Sequence, residues 1–221
     1  MKDGESRDPA EIAVSSLLEQ GLADLGSPYD EGQLQKLLGL VSLLSEWAER
    51  INLTGHRDPL QIASRLVLDA AALSQALPEL GSSSTLSDLG SGAGFPGLPI
   101  AILRPELEVR LVESRKKRHY FQREARRQLG LMHVIPLIGR SDQLDAHPSD
   151  IAIAQAMTRP EQALHLMLPW VRKGGLLALP ASAEAVRPAA PESIPKLELR
   201  EYTVPITKMR RRLWVGRLHP E

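Results

Sequence analysis

The chain has 221 residues, 43 % of them apolar but only 4 % aromatic, and its 27 lysines and arginines balance 27 aspartates and glutamates. It has no cysteine, which excludes a disulfide scaffold, a cysteine-held zinc or iron–sulfur site and a thiolate nucleophile. Zero net charge argues, at first sight, against a nucleic-acid partner.

Residues 1–10 are polar and acidic, unlike a signal peptide, and no apolar run approaches the ~20 residues of a membrane span, so a soluble, cytoplasmic protein with no membrane partner is expected. Ile12, Leu17, Leu18 and Leu22 form a first helical stripe. After Gly26-Ser27-Pro28, Leu34, Leu37, Leu38, Val41, Leu44, Trp47, Ala48 and Ile51 form a second. A third helix is predicted from Pro59 to Leu77, with Asp58 as N-cap and proline at the first position. Pro78 to Ser84 reads as a turn and linker, dividing a helical cap over 1–80 from a second domain over 81–221.

From Thr85 short β-type runs alternate with helical segments. Strands are predicted at Thr85–Leu89, Val109–Val112, His133–Ile138, Ile151–Ala154 and Leu176–Leu179, with helices at Gly97–Leu103, Lys116–Leu129 and Pro160–Val171. Lys196–Val204 and Leu213–Leu218 read as two more strands. The alternation implies an α/β fold with a mostly parallel sheet and helices on both faces. Pro180–Pro195 holds four prolines and reads as a loop or mobile flap.

The charge is not evenly spread. Residues 1–50 carry four basic and ten acidic side chains, residues 104–127 nine and four, and residues 196–217 seven and two. Two basic blocks brought onto one surface would restore the case for an anionic partner, so the blocks are expected to flank the ligand pocket.

Asp88-Leu89-Gly90-Ser91-Gly92-Ala93-Gly94-Phe95-Pro96-Gly97 follows a predicted strand and opens a helix. Closely spaced glycines let the backbone turn tightly and let a ligand approach the main chain. Gly92-x-Gly94-x-x-Gly97 matches the dinucleotide fingerprint, but a carboxylate at Asp88 would repel pyrophosphate and could hold the ammonium group of S-adenosylmethionine. Glu113, ending the next strand, can accept hydrogen bonds from both ribose hydroxyls of either cofactor.

Asn52-Leu53-Thr54, Arg57-Asp58-Pro59, Arg65 to Asp69, the loop from Asp88 to Pro99, Glu113-Ser114, Lys117-Arg118 and Phe121 together resemble the bacterial 16S rRNA guanine-N7 methyltransferases, the glucose-inhibited division protein B family, over nearly the whole chain. The resemblance implies a class I, Rossmann-like S-adenosylmethionine-dependent methyltransferase sheet with an N-terminal helical cap. It implies methylation of N7 of a guanine in the decoding-region loop of small-subunit rRNA, with 16S rRNA or the small subunit as partner. Carried onto this chain, the resemblance has Gly90 and Phe95 line the methionine and adenosine pocket, Glu113 take the ribose, and Ser141 and Asp142 meet the adenine; Asp88, Gly92 and Gly94 are cofactor-binding candidates from the glycine loop itself. A monomer is expected, with no metal.

Two positions depart from the family pattern. Ser-Arg-Ala after the fourth strand is Ala154-Gln155-Ala156 here, and Ala-Leu-Lys-Gly after the fifth is Ala178-Leu179-Pro180-Ala181. Gln155 donates hydrogen bonds without a charge or a fork, and Arg159, four residues on, is a candidate replacement guanidinium. These departures leave room for a non-catalytic or retargeted rRNA-binding relative. A dinucleotide-dependent oxidoreductase is the third reading, although no hydride-transfer partner accompanies the glycine loop.

Guanine N7 carries a lone pair and no proton, so methyl transfer to it needs no general base and rests on alignment and exclusion of water. Asn52 and Gln155 are the candidates for the reaction centre, Asn52 alternatively being a helix C-cap. Arg115, Lys116, Lys117 and Arg118 crowd a helix N-terminus, where the dipole disfavours cations, which points to RNA phosphate. Arg57, Arg123, Arg159, Arg210 and Arg211 complete the candidate RNA surface, Arg210 to Arg212 alternatively being edge protection for the last strand. Tyr120 could stack on a base, while Phe121 and Trp47 fit the core.

Overall fold

The computed structural model describes residues 8–81 and 83–220, so part of the acidic N-terminus, Ser82 of the expected linker and Glu221 lie outside the described residues. Helix α1 (Pro9–Asp24) starts where the Asp8 side chain accepts from the Ala10 amide at 3.1 Å and proline takes the first helical position. Helix α2 (Glu31–Arg50) opens on a capping box: Asp30 accepts from Gln33 N, and the Gln33 side chain accepts from Asp30 N, both at 2.8 Å. The Gln33 Nε2 also donates to the carbonyls of Ile102 and Leu103 at 3.0 and 3.2 Å, tying this helix to the sheet domain.

The expected helix from Pro59 is one helical run in three parts: α3 (Pro59–Ile62), a π turn at Ala63–Val67 and α4 (Leu68–Ala76). Asp58 caps it as expected, accepting from Gln61 N at 2.9 Å. The Ser64 hydroxyl donates back to the Leu60 carbonyl at 2.6 Å, a competition with the helix ladder that accompanies the local change of pitch.

Strands β1 (Thr85–Leu89), β2 (Glu108–Glu113), β3 (Val134–Ile138), β4 (Ser149–Ala154), β5 (Val171–Ser182), β6 (Leu197–Thr203) and β7 (Arg210–Arg217) form one sheet in the order β3-β2-β1-β4-β5-β7-β6. The first five are parallel; β7 lies antiparallel between β5 and β6. Helices α5 (Gly97–Leu103), α6 (Lys116–Gln128) and α7 (Pro160–Met167) supply the crossovers.

The largest differences from the predicted boundaries lie at α7, β5 and β7. Helix α7 was expected to reach Val171 but stops at Met167, followed by a single 3₁₀ turn at Leu168–Trp170 that contains Pro169. Strand β5 begins at Val171 and runs on through Pro180 to Ser182 instead of ending at Leu179. Its pairing with β4 ends at Ala178↔Ile153, so the proline lies where the strand is paired only with β7, as a proline in a strand requires. The longer β5 draws Arg211 and Arg212 into register with Ser182 and Ala181, so the arginine triplet belongs to β7 instead of preceding it. The flap therefore starts at residue 183, and it is pinned: the Arg212 Nη1 donates to the Ala185 carbonyl at 2.8 Å and Ile194 is buried.

Two apolar cores lie on the two faces of the sheet. In one, Leu18, Leu37, Leu44 and Val67 of the N-terminal helices are continuous with Leu98, Leu111, Phe121 and Val215. Trp47 meets Phe121 edge-on, ring centroids 5.6 Å apart, which joins α2 to α6 and places both rings in packing roles. In the other, Leu164, Met167 and Trp170 cover β4, β5 and Trp214 of β7. Among the described residues no helix is long and apolar enough to cross a membrane.

Candidate active site

The loop between β1 and α5 turns back through Gly90, Gly92 and Gly94, each with a positive φ. Gly90 is also a close approach: a Cβ there would stand 2.7 Å from Met157 Cγ and 2.9 Å from its sulfur. The loop is held from behind by Gln122 of α6, whose amide donates to Ser91 Oγ at 2.9 Å and to the Gly92 carbonyl at 2.8 Å. Sequence reasoning missed Gln122; its only signal was a polar residue on the apolar face of a helix, beside Phe121 and Ala125.

Asp88 lies under this loop, buried, with Oδ2 accepting from the Gly97 amide at 2.9 Å and Oδ1 buried without a hydrogen-bond partner. It thus braces the helix start from below. Burial pushes its carboxyl up to about 7, against the Gly97 hydrogen bond and with a smaller push from the charge of Glu113. Because this value lies above the unfolded one, the contribution of Asp88 to stability is complete below about pH 4 and is lost as pH rises through about 7. Asp88→Asn, which keeps an acceptor for Gly97, should therefore gain stability over the parent as pH rises from 4 to 8, by up to about 4 kcal/mol. Urea titrations across that range measure it, and parallel pH profiles for the two proteins would sink it.

Glu113 ends β2 and is buried. Oε2 accepts from Gly92 N at 2.9 Å and Oε1 from Arg115 N at 2.7 Å, while Arg118 Nη1 stands 3.8 Å away. Its carboxylate therefore supplies the negative charge that the first turn of α6 wants; Oε1 also accepts from the Ser114 hydroxyl at 3.4 Å, so only Oε2 keeps a second lone pair.

A cavity of about 250 Å³ opens beside it at the carboxyl edge of the parallel strands, lined by Gly90, Ser114, Ser141, Asp142 and Met157 among others. Asp142 is held there by Arg140 in a two-point pair, Nε–Oδ1 3.0 Å and Nη2–Oδ2 2.9 Å. Ser141 is fixed through its carbonyl, which accepts from Trp170 Nε1 at 3.0 Å. Of the residues expected to hold the cofactor, Asp88, Gly92, Gly94, Phe95 and Glu113 do not line this cavity.

A second cavity, of about 340 Å³, lies against the first, beyond the ends of β4 and β5. Gln155, Pro180, Val186, Arg211 and Trp214 line it, and Met157 and Thr158 line both cavities. Gln155 lines this second cavity and not the first, and Pro180, which replaces the expected lysine, is a buried wall residue of it.

Asn52 follows the C-cap of α2, which is Ile51 and not Asn52; it is exposed and its φ is not positive, so the αL-cap alternative does not describe it. Arg57, Arg115, Lys116, Lys117, Arg123 and Arg159 are exposed, as is Tyr120 at 53 %. Arg210 is exposed beside Glu201, 3.6 Å away. Arg211 differs from them: its Nη2 pairs with the buried Asp69 of α4 at 2.6 Å and its side chain is 22 % exposed, so it is an internal brace instead of a free phosphate ligand. The sheet order puts β1, β4 and β5 between the basic block after β2 and the one on β7, so the two blocks flank the paired cavities.

A seven-stranded sheet in this order, with one antiparallel strand inserted next to its edge and a glycine loop after β1, defines the class I methyltransferase architecture. Solved structures of similar shape include MtNAS in complex with MTA and tNA (16 % identity, TM-score 0.56, covering 96 % of this chain and 78 % of that one). TYW2 of M. jannaschii in complex with AdoMet is another (10 % identity, TM-score 0.51, covering 68 % and 74 %). At such identities the likeness speaks for the fold alone. The family model for rRNA small subunit methyltransferase G matches residues 33–213, and the chain belongs to that family. Relatives named ribosomal RNA small subunit methyltransferase G include one from Chromohalobacter salexigens, 34 % identical over 87 % of this chain and 92 % of its own. Another, from Stenotrophomonas maltophilia, is 36 % identical over 91 % and 99 %. The dinucleotide-oxidoreductase reading of the glycine loop falls with this membership.

Proposed function

We propose that this chain is an S-adenosylmethionine-dependent methyltransferase acting on N7 of a guanine in the decoding-region loop of 16S rRNA. The observation that carries the reading is the pair of cavities meeting at Met157 on the carboxyl edge of the sheet, in a chain of this family.

The residues fit the cofactor. Gly90 leaves room where a Cβ would press on Met157, Glu113 Oε2 retains a lone pair for a ribose hydroxyl, with the Ser114 hydroxyl beside Oε1 able to turn aside for a second, and Ser141 and Asp142 line the first cavity for an adenine. Bound there, S-adenosylmethionine would supply a methyl group already activated by its sulfonium, whose transfer to guanine N7 would need no proton transfer by the protein. The chain's own part is to align and to exclude water. Met157 and Thr158 stand at the junction, and Gln155, Pro180 and Trp214 line the second cavity beside it. Exposed Arg115, Lys116 and Lys117 at the start of α6 and Arg57 before α3 offer phosphate contacts. A cytoplasmic, monomeric enzyme acting on rRNA or the small subunit completes the reading.

The test uses purified protein, methyl-labelled S-adenosylmethionine and small-subunit rRNA, free or as particles, from cells lacking the modification. Label released as 7-methylguanine is expected. Label on a pyrimidine or an exocyclic amine would overturn the assignment. Absence of transfer with intact cofactor binding would favour the retargeted relative suggested by Gln155 and Pro180.

A further inference from the structure

We infer that the groove of about 950 Å³ between α6 and the free edge of β3 holds a single-stranded stretch of the rRNA outside the target loop, with Tyr120 stacked on a base and Lys116 and Arg123 on phosphates. The inference rests on the RNA partner proposed above and adds where that RNA is held away from the reaction centre.

Three observations select this occupant. The first is charge. Lys116, Tyr120, Arg123 and Arg127 recur at i, i+4, i+7 and i+11 and are all exposed, so they make one stripe about 16 Å long on α6. Arg127 is already answered by Glu124, 3.0 Å away, the one carboxylate lining the groove. Lys116 and Arg123 have no carboxylate partner among the described residues, and Arg123 stands mid-helix, where neither helix end accounts for it. The second is apolar exposure. Tyr120, Ile135 and Ile138, at 53 %, 36 % and 42 %, are three of the eight large apolar side chains exposed among the described residues, and all three line this one groove. An unstacked base lays its flat face on such walls whatever its identity, whereas a duplex keeps those faces inside.

The third is the edge itself. β3 is the outermost strand. Residues 133 and 139 turn their main-chain groups to β2, meeting Val109 N and the Glu113 carbonyl, both at 3.0 Å, so Val134, Pro136 and Ile138 turn theirs outward. Pro136 has no N–H, and that of Val134 donates to the Leu131 carbonyl at 3.1 Å. A single outward donor, at Ile138, is left along the strand. That is too few for a ladder, which rules out an added peptide strand or the β3 of a second copy. The occupant must therefore be anionic, offer flat faces and require no ladder. Ile138 and Leu144 line the groove while Gly139 and Arg140 line the cofactor-side cavity, so the two adjoin. β3 lies three strand spacings from β4, about 14 Å, so the nucleotides held here are not immediate neighbours of the methylated guanine.

The experiment measures fluorescence anisotropy of a short labelled single-stranded RNA of mixed sequence, of its duplex, and of a polyglutamate peptide. The single strand should bind more tightly than either. Tyr120→Leu should weaken it about tenfold, within the range of one stacked base. Lys116→Ala combined with Arg123→Ala should lower the slope of log affinity against log salt by about 1.4, the release from two single-strand phosphates. Calorimetry with S-adenosylmethionine should show parental cofactor affinity in both proteins. With small-subunit rRNA, kcat/KM for methyl transfer should fall about tenfold in Tyr120→Leu. Cutting the rRNA back to the target hairpin should cost the wild-type protein that same factor and cost Tyr120→Leu nothing further. Parental RNA affinity and salt slope in the variants, or tighter binding of polyglutamate or duplex, overturns the groove and leaves the N7 reaction standing. Wild-type protein that binds the strand through these residues and labels no guanine overturns the N7 reading and keeps the groove.

Discussion

Gly97→Val is expected to cost about 3 kcal/mol of stability, the upper end of ordinary overpacking, and to weaken S-adenosylmethionine binding beyond tenfold. Gly97 is the first residue of α5, and a Cβ built on it would stand 2.3 Å from Leu111 Cδ2 and 2.9 Å from Asp88 Oδ2. Neither neighbour can give way cheaply. Leu111 is fully buried on β2, and the Asp88 oxygen is the acceptor of the Gly97 amide itself. Relieving the clash means lifting the helix start off the sheet, which breaks that hydrogen bond and moves the Gly90–Gly94 turn. The effect on cofactor affinity should therefore exceed that of an equally destabilising change elsewhere, such as a cavity at Trp170 on the other face. Urea unfolding and calorimetry on the same samples measure both quantities, and a stable Gly97→Val protein with parental affinity would refute the account.

The features that could be read from the sequence were those written in local pattern. The β1 strand, the glycine turn and α5 follow one another within Thr85–Leu103, and apolar run, turn residue and helix start each announce themselves there. Asp30 and Asp58 were readable in the same way, since a cap acts on residues two or three further on. The misplaced boundaries depend on pairing between distant segments. Pro180 looks like a strand breaker until β7 is seen to pair with β5 past the end of β4. Arg210 to Arg212 look like a solvated cluster until that same pairing carries Arg211 to the carboxylate of a helix 142 residues earlier in the chain. Residue chemistry named Glu113 and Gln155 as site members. It did not show that Asp88 points under the loop, that Gln122 holds the loop from behind, or that Trp214 leaves its N–H unpaired, because each is a fact about one atom's surroundings.

Asp69→Ala is expected to destabilise the protein by about 3 kcal/mol, because it strands the Arg211 guanidinium. The pair is 2.6 Å long, the two side chains are 22 % and 8 % exposed, and Arg211 Nε already lacks a partner. The Tyr202 hydroxyl donates to the other Asp69 oxygen at 3.4 Å, and burial, with the nearby negative charge of Asp69, raises its pKa so that it remains the donor. Removing the carboxylate thus orphans two groups at once. The double replacement Asp69→Leu with Arg211→Met should recover most of the loss, since apolar residues of similar size do not demand partners. Because the pair is buried, 0.5 M salt should change its contribution little, unlike the exposed Arg210–Glu201 pair. The bridge also fastens the N-terminal helices to the strand that carries Trp214, beside the Tyr202–Asp69 and Arg200–Ala76 hydrogen bonds that tie the same helix to β6. Methyl transfer in Asp69→Ala should therefore fall further than the folded fraction does, while S-adenosylmethionine binding at the β1–β2 end follows the folded fraction. A loss below 1 kcal/mol, or one that high salt abolishes, would show the pair to be an ordinary surface contact and return Arg211 to the RNA-facing set.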